Sequence, residues 1–386
     1  YSSETPVYVT SSAAGSATLV YRYWGIIDDK YVEDEARQVI SSVDPLVLAD
    51  INRDGAIDSV DAGCQIAGMP FRFWTNEDTC KGDYIGATND VSPNASDFRV
   101  NGKLDLVNLF PVKVDLERLH AAWDGLATIK LRAWTDNLRY CVLGDLASSD
   151  VSRLQTAAIH NVDDGLVEST ALTPLDSEGV DLDDVCEEGQ HTLMLAFEAA
   201  GPVNEWNGPE VVVSLGDSEV FSYRLPLRIA SVRDMYRWLN VRDYSGESVS
   251  DQSLMGEPVN APYDELSDKN LLFLHGANVS LSGARTWMDS VFKRLWLSGA
   301  RARFVGVTWR SDIGTSANYQ QNASNAFEVA AYLAPQIAAI SGEKVLMAHS
   351  LGNMVCSSMI QDHGLQVEKF LMCNSAVPSE AYCGAD

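Results

Sequence analysis

The sequence predicts a multidomain chain: a β-rich N-terminal region with a calcium loop, then a C-terminal α/β domain with a mainly parallel sheet. Three observations predict it. The net charge of −26 lies entirely before Leu271, where 46 acidic side chains face 20 basic ones, and the remainder carries eight of each. Period-two apolar runs crowd residues 119 to 230, as in half-buried antiparallel strands. From Leu271 onward, continuous apolar runs alternate with amphipathic stretches, the pattern of a buried parallel sheet with crossover helices.

Taken in order, residues 1–118 form the acidic β-rich region. PVYVT and ATLVYRYW alternate like strands, and FRFW and LFPVKVDL punctuate a stretch rich in Asp, Asn and Gly. Residues 119–245 form a β-sandwich-like region from ATIKLRAW, HTLMLAFEA, EVVVSL and EVFSYRLPLRI, and VRDMYRWLNVR near its end has the spacing of a short helix. Residues 246–268 carry the turn-rich composition of a linker. Residues 269–386 supply four strands: NLLFLHG, ARFVGVTW, KVLMA and EKFLMCN. A helix between the first two places Trp287, Val291 and Leu295 on one face and stops at Gly299. A second aligns Ala326, Val329, Ala330, Leu333 and Ile337, with a kink expected at Pro335.

Composition excludes two classes of partner. The negative field of the first 270 residues repels nucleic acid and anionic membrane, and no apolar run is long enough to span a bilayer. The seven cysteines show no CxxC pair and no zinc spacing. Cys64 and Cys80 flank an acidic segment and can be joined across it.

DINRDGAIDSVD, residues 50–61, sets oxygen donors at loop positions 1, 3, 5, 9 and 12: Asp50, Asn52, Asp54, Asp58 and Asp61. Gly55 stands at position 6, where the chain must turn sharply, and Ala56 offers its carbonyl at position 7. Hard oxygen ligands at this spacing suit a structural Ca²⁺ and poorly suit zinc. With Asp at position 12 the loop resembles a dockerin repeat, which implies a cohesin partner. A dockerin needs two repeats, however, and DFRVNGKLDLVN (97–108) keeps Asp97, Asn101, Gly102 and Asp105 in register but has Arg99 at position 3. It is either a degenerate second site or an Asx-rich turn. A structural calcium site is therefore preferred to cohesin docking, and NEDTCKGD (76–83) is a further acidic loop without register.

EKVLMAHSLGNMVCSSMI (343–360) is a buried strand, a sharp turn carrying Ser350, and a helix. Ala348-His349-Ser350-Leu351-Gly352 has small residues two positions either side of the serine, as a strained strand-to-helix turn requires. The following helix points its first amides at the site, so the Leu351 N–H can meet a developing oxyanion. The strand two before ends in His275-Gly276-Ala277-Asn278. These motifs resemble the α/β-hydrolase family, in particular bacterial members with an HG-x-N oxyanion strand and an AHS[LM]GN elbow, over about residues 268 to 386. The resemblance implies an incomplete α/β-hydrolase fold, the first half of such a domain. It implies Ser350 as nucleophile, with the amides of Leu351 and Ala277, or alternatively Asn278, as oxyanion hole. His275 and His349 are expected to be packed, hydrogen-bonded histidines, and Trp287 and Trp309 core residues.

In this family the acid and histidine follow the serine. Here only Asp362, His363, Glu368, Glu380 and Asp386 are available after it. His363 lies 13 residues along, roughly 20 Å at 1.5 Å per residue. The expectation is a piece of a longer chain, whose catalytic acid and histidine lie beyond residue 386 and which alone has little activity. The leading reading is a secreted or cell-envelope serine hydrolase acting on a small or polymeric ester. The alternative is a calcium-dependent binding or surface protein, recognising a glycan or partner and carrying a non-catalytic hydrolase-like domain.

Overall fold

Alternating burial organises several strands of the first two-thirds of the chain, and continuous burial marks residues 237–240, 272–276 and 304–309 of the remainder. A computed structural model describes residues 8–12, 16–27, 30–41, 45–76, 99–100, 103–104, 106–123, 127–144, 146–160, 166, 172–187, 189–248, 252–313 and 318–379. The possible second calcium register at Asp97, Asn101, Gly102 and Asp105 lies outside them, as do most of residues 76–83 and Glu380 and Asp386. The chain forms two compact units. One comprises Tyr1–Phe73, Asn108–Leu154 and Asp163–Ile229; the other comprises Trp74–Val107, Gln155–Val162 and Ala230–Asp386. This division differs from the four consecutive segments expected from the sequence.

In chain order, β1 (Tyr8–Ser12), β2 (Ser16–Ile27) and β3 (Lys30–Ser41) form an antiparallel meander. There follow β4 (Val47–Ala49), α1 (Ser59–Ile66), β5 (Phe71–Trp74), the small pair β6 (Arg99–Val100) and β7 (Lys103–Leu104), then β8 (Phe110–Asp115) and α2 (Leu116–Trp123). Next come β9 (Thr128–Ala133), β10 (Leu138–Val142), α3 (Ser152–His160), β11 (Thr173–Leu175) and β12 (Val180–Asp181). β13 (Thr192–Ala199), β14 (Pro209–Leu215), β15 (Ser218–Arg224) and β16 (Leu227–Ala230) complete this stretch. One antiparallel sheet has the order β11-β10-β13-β8-β4, a second β12-β9-β14-β15, and β16 pairs with β5. Because β4 and β8 come from the acidic stretch and β13 from the period-two stretch, those two regions share a sheet and are not separate domains. β9 shows the expected alternation, burying Ile129, Leu131 and Ala133 while Thr128 and Lys130 are exposed. Phe110 on β8 meets Phe71 in a tilted contact at 5.1 Å and stacks on Phe197 at 5.9 Å between ring centroids, joining three strands through aromatic contacts.

The second unit holds β17 (Arg237–Asn240), β18 (Leu266–Leu274), α4 (Leu281–Leu297), β19 (Ala302–Thr308), α5 (Tyr319–Ala338), β20 (Glu343–His349), α6 (Gly352–Gln361) and β21 (Lys369–Cys373). Its sheet has the order β17-β19-β18-β20-β21, and every pair is parallel. The four expected strands are present, and a fifth was not foreseen. VRDMYRWLNVR is not a short helix: after a 3-10 turn at Val232–Asp234 it becomes β17, which pairs Arg237–Asn240 with Val305–Thr308. All four of its residues are buried, so it has no period to read, and its arginine is neutralised by Glu257 and Glu265, each at 2.9 Å.

α5 buries the stripe the sequence predicts: Ala326, Val329, Ala330, Leu333 and Ile337. α4 is rotated from expectation. Its buried face is Ala284, Met288, Phe292 and Trp296, together with Arg285, Asp289 and Lys293, while Trp287, Val291 and Leu295 are half-buried. Charges conceal that face in the sequence. They are tolerated because Asp289 accepts from Arg233 at 3.0 Å and from the Tyr236 hydroxyl at 2.5 Å, while the Arg285 guanidinium lies 4.3 Å over the Trp238 ring. Among the described residues no helix is long and apolar enough to cross a membrane.

Candidate functional site

The parallel register assembles the serine site. Leu274 pairs with Ala348 and His349 with Cys373, so the chain leaves β18, β20 and β21 at one end of the sheet. At the end of β20, Ser350 adopts φ 51°, the left-handed region, immediately before α6. The surroundings fix it there. Its N–H donates to the Cys373 carbonyl at 3.0 Å, and its own carbonyl accepts from the Asn353 N–H at 3.1 Å, the Asn353 Nδ2 at 3.0 Å and the Ala376 N–H at 3.2 Å. Asn353 also donates to the Cys373 carbonyl at 3.2 Å, tying the turn to the next strand. Ser350 itself is half-buried.

Two glycines make the turn sterically possible. A Cβ on Gly276 would stand 2.9 Å from the Ser350 Cβ, and one on Gly352 would stand 2.5 Å from the His275 carbonyl oxygen. The first turn of α6 and the loop after β18 thus press together at backbone distance. Among the described residues the amide N–H groups of Leu351 and Ala277 have no acceptor, whereas the Asn278 N–H donates to the Ser311 carbonyl at 2.6 Å. That bond leaves Ala277, not Asn278, as the free donor on the 275–278 loop.

His275 is fully buried. Its Nε2 accepts from the Trp309 N–H at 3.3 Å and meets the Thr308 hydroxyl at 3.0 Å, so the proton resides on Nδ1, which donates to the Gly276 carbonyl at 2.9 Å. The Trp309 ring stacks on the imidazole at 5.8 Å and its Nε1–H donates to the His275 carbonyl. Burial pushes the pKa of His275 down to about 4, and the ring is neutral. His349, also lowered by burial, rests against Trp287 with ring centroids 5.0 Å apart. His363 is exposed beyond the C-terminal end of α6. Among the described residues, then, no histidine is hydrogen-bonded to Ser350.

Three further side chains support the site. Asn353 holds the serine carbonyl, Ser311 holds the loop after β18 through its carbonyl and hydroxyl, and Arg242 braces that loop from behind. The Arg242 side chain is 2% exposed and donates to the Val279 and Trp309 carbonyls, to Asp312 at 2.6 Å and to Glu247. Ser311 and Arg242 act through partners distant in sequence and no local motif marks them, whereas Asn353 closes the AHSLGN elbow and bonds Ser350 three residues back.

In the first unit, the Asp50–Asp61 loop leads into α1 through Asp58, whose carboxylate accepts from the Val60 N–H at 2.7 Å and closes a capping box with Asp61. Gly55 has φ 87° at position 6. Asp50 accepts from the N–H groups of Asp54 and Gly55, and Asp61 from those of Ile51, Asn52 and Asp58. Both carboxylates are buried. Burial, then the charge of Asp61, pushes Asp50 up to about 7, and burial raises Asp61 as well. The donor chemistry fits a hard divalent cation, which would hold both ionised. Among the described residues no three His, Cys, Asp or Glu side chains are gathered closely enough to hold a metal. Cys64 is a free, half-buried thiol, and Cys80 lies outside the described residues.

Comparison with protein-family models, with curated proteins and with solved structures found no match.

Proposed function

We propose that the protein is a secreted or cell-envelope serine hydrolase of the α/β-hydrolase kind, cleaving an ester or similar acyl bond through Ser350. The observation that carries the reading is the left-handed serine between β20 and α6, with Gly276 packed against it and the Leu351 and Ala277 amides without acceptors. In the proposed reaction the Ser350 hydroxyl oxygen adds to the acyl carbonyl carbon, and the carbonyl oxygen takes up the negative charge against those two amides. The serine proton passes to a base and from it to the leaving alcohol as the acyl-enzyme forms, and water then releases the acid. His275 cannot be that base, because both ring nitrogens are engaged and the ring is buried neutral. Base and acid are assigned to groups outside the described residues.

That no described histidine bonds Ser350 makes a sharp test. The 386-residue polypeptide alone should turn over p-nitrophenyl esters barely above background. Added imidazole should restore Ser350-dependent acyl transfer, because an oxyanion site without its triad still retains part of its catalytic power. The expected result is an imidazole-dependent rate at least about tenfold above that of Ser350→Ala, with the acyl group found on Ser350 by mass spectrometry. Identical imidazole-dependent rates in the two proteins would overturn the proposal.

We further propose that Ca²⁺, as a structural ion, draws together Asp50, Asn52, Asp54, Asp58, Asp61 and the Ala56 carbonyl on binding. Its role is confined to the loop and α1, and no step of the reaction runs through it.

A further inference from the structure

We infer that one end of the four-stranded sheet β12-β9-β14-β15 is a binding surface for neutral polysaccharide, with Trp134 and Trp206 as its platform. This goes beyond the acyl-transfer proposal and does not depend on it. β9 ends at Ala133, which pairs with Pro209 at the start of β14. Trp134 is the next residue on one strand, and Trp206 lies three residues before the other. The turn after β9 and the loop before β14 are tied together: the Asn137 side chain donates to the Pro202 carbonyl at 3.0 Å, and the Ala200 N–H donates to the Asn137 carbonyl at 2.7 Å.

Trp206 is 79% exposed and Trp134 50%, large apolar surfaces to leave in water. Trp134 is braced through its ring, Trp206 through its backbone. The Trp134 ring lies 4.6 Å from the Arg132 guanidinium, and its Nε1–H donates to the buried Glu210 carboxylate at 2.9 Å. Trp206 rides on a turn closed by side chains: its N–H donates to Asn204 Oδ1 at 2.9 Å, and the Asn204 N–H donates to Asn207 Oδ1 at 2.8 Å. The Trp134 indole, held by its surroundings, is preorganised to bind, and the Trp206 indole is carried on an ordered turn.

The neighbours select the ligand. Asn137, Asn204, Glu205 and Asn207 offer amides and a carboxylate for hydroxyl groups, while the indole faces suit the C–H faces of pyranose rings. Among the described residues of this unit, the other exposed large apolar side chains, Val60 and Ile66, both lie on α1. The tryptophans therefore lack the aliphatic surround of a protein hot spot. Arg132 is neutralised by Glu210 and Glu219, and the acidic excess of this part of the chain disfavours anionic membranes and anionic glycans.

Affinity electrophoresis of the full chain tests this, in native gels containing mixed-linkage β-glucan, arabinoxylan, galactomannan or dextran. At least one polymer should retard the protein. Trp206→Ala should weaken that retardation roughly tenfold, Trp134→Ala should weaken it as well, and Trp206→Phe should keep most of it. Trp206 stands on a loop tip, so its alanine variant should keep the parent's circular dichroism. Absence of retardation by every polymer, or unchanged retardation in both alanine variants, would overturn the inference. So would Trp206-dependent binding to phosphatidylglycerol vesicles without polysaccharide binding. None of these readouts involves ester turnover.

Discussion

Four described non-glycine residues adopt left-handed backbone, and they divide between the two candidate sites: Arg53 in the Asp-rich loop, and Asn278, Ser350 and Asn374 beyond the ends of β18, β20 and β21. Such conformations cost on the order of 1–3 kcal/mol, least for Asn, and persist only where the surroundings over-determine them. At Ser350 four backbone-directed hydrogen bonds do so. His275 pays for its position differently. Its folded pKa of about 4 lies below the ordinary value of 6.5, so the neutral ring is fully tolerated above pH 6.5. As pH falls from 6.5 towards 4 the unfolded chain binds a proton that the folded chain refuses, and stability drops by up to about 3 kcal/mol. His275→Gln, which has nothing to titrate, should lose less stability over this window. Urea unfolding at pH 7 and pH 4.5 reads the difference, and parallel losses in the two proteins would contradict it. The serine turn was legible in the sequence because its small residues answer a local steric demand. Ser311 and Arg242 were not, because the loop after β18 that each holds is brought near only by the fold.

At the level of elements, legibility followed chemical uniformity. NLLFLHG and ARFVGVTW were readable as strands because burial on both faces leaves a nearly unbroken apolar run, and KVLMA because it is apolar after its lysine, although Val345 and Met347 are half-buried. β17 was missed because Arg237 and Asn240 interrupt its run, and α4 was placed on the wrong stripe because paired charges occupy the buried one. The loop from Asp50 to Asp61 is an element of the opposite kind, specified almost wholly by its polar spacing. With Asp50 and Asp61 buried and raised, a divalent cation bound there would stabilise the folded state by mass action. Millimolar calcium should raise the melting temperature of the full chain by about 5 °C over chelator, and Asp54→Ala, an exposed position, should abolish the increment. Superimposable calorimetric traces with calcium and with chelator would exclude the site.

At the scale of the whole molecule, the charge asymmetry was visible at once, but the way the chain is shared between its two units was not. Local patterns rank segments by character, whereas the contacts that define a unit join Phe110 to Phe197 and Arg237 to Val305 across long stretches of sequence. The interleaving has a consequence for dissection. A cut at the change of character near residue 269 would produce a polypeptide lacking β17, with the outer edge of β19 bare and Val305 and Val307 beside an open seam. Residues 269–386 expressed alone should therefore bind the dye ANS and sediment as aggregates, where the whole chain does neither; a monodisperse, dye-silent product would mean that β17 is dispensable. The tract 246–268, for all its linker-like composition, is a poor place for scissors.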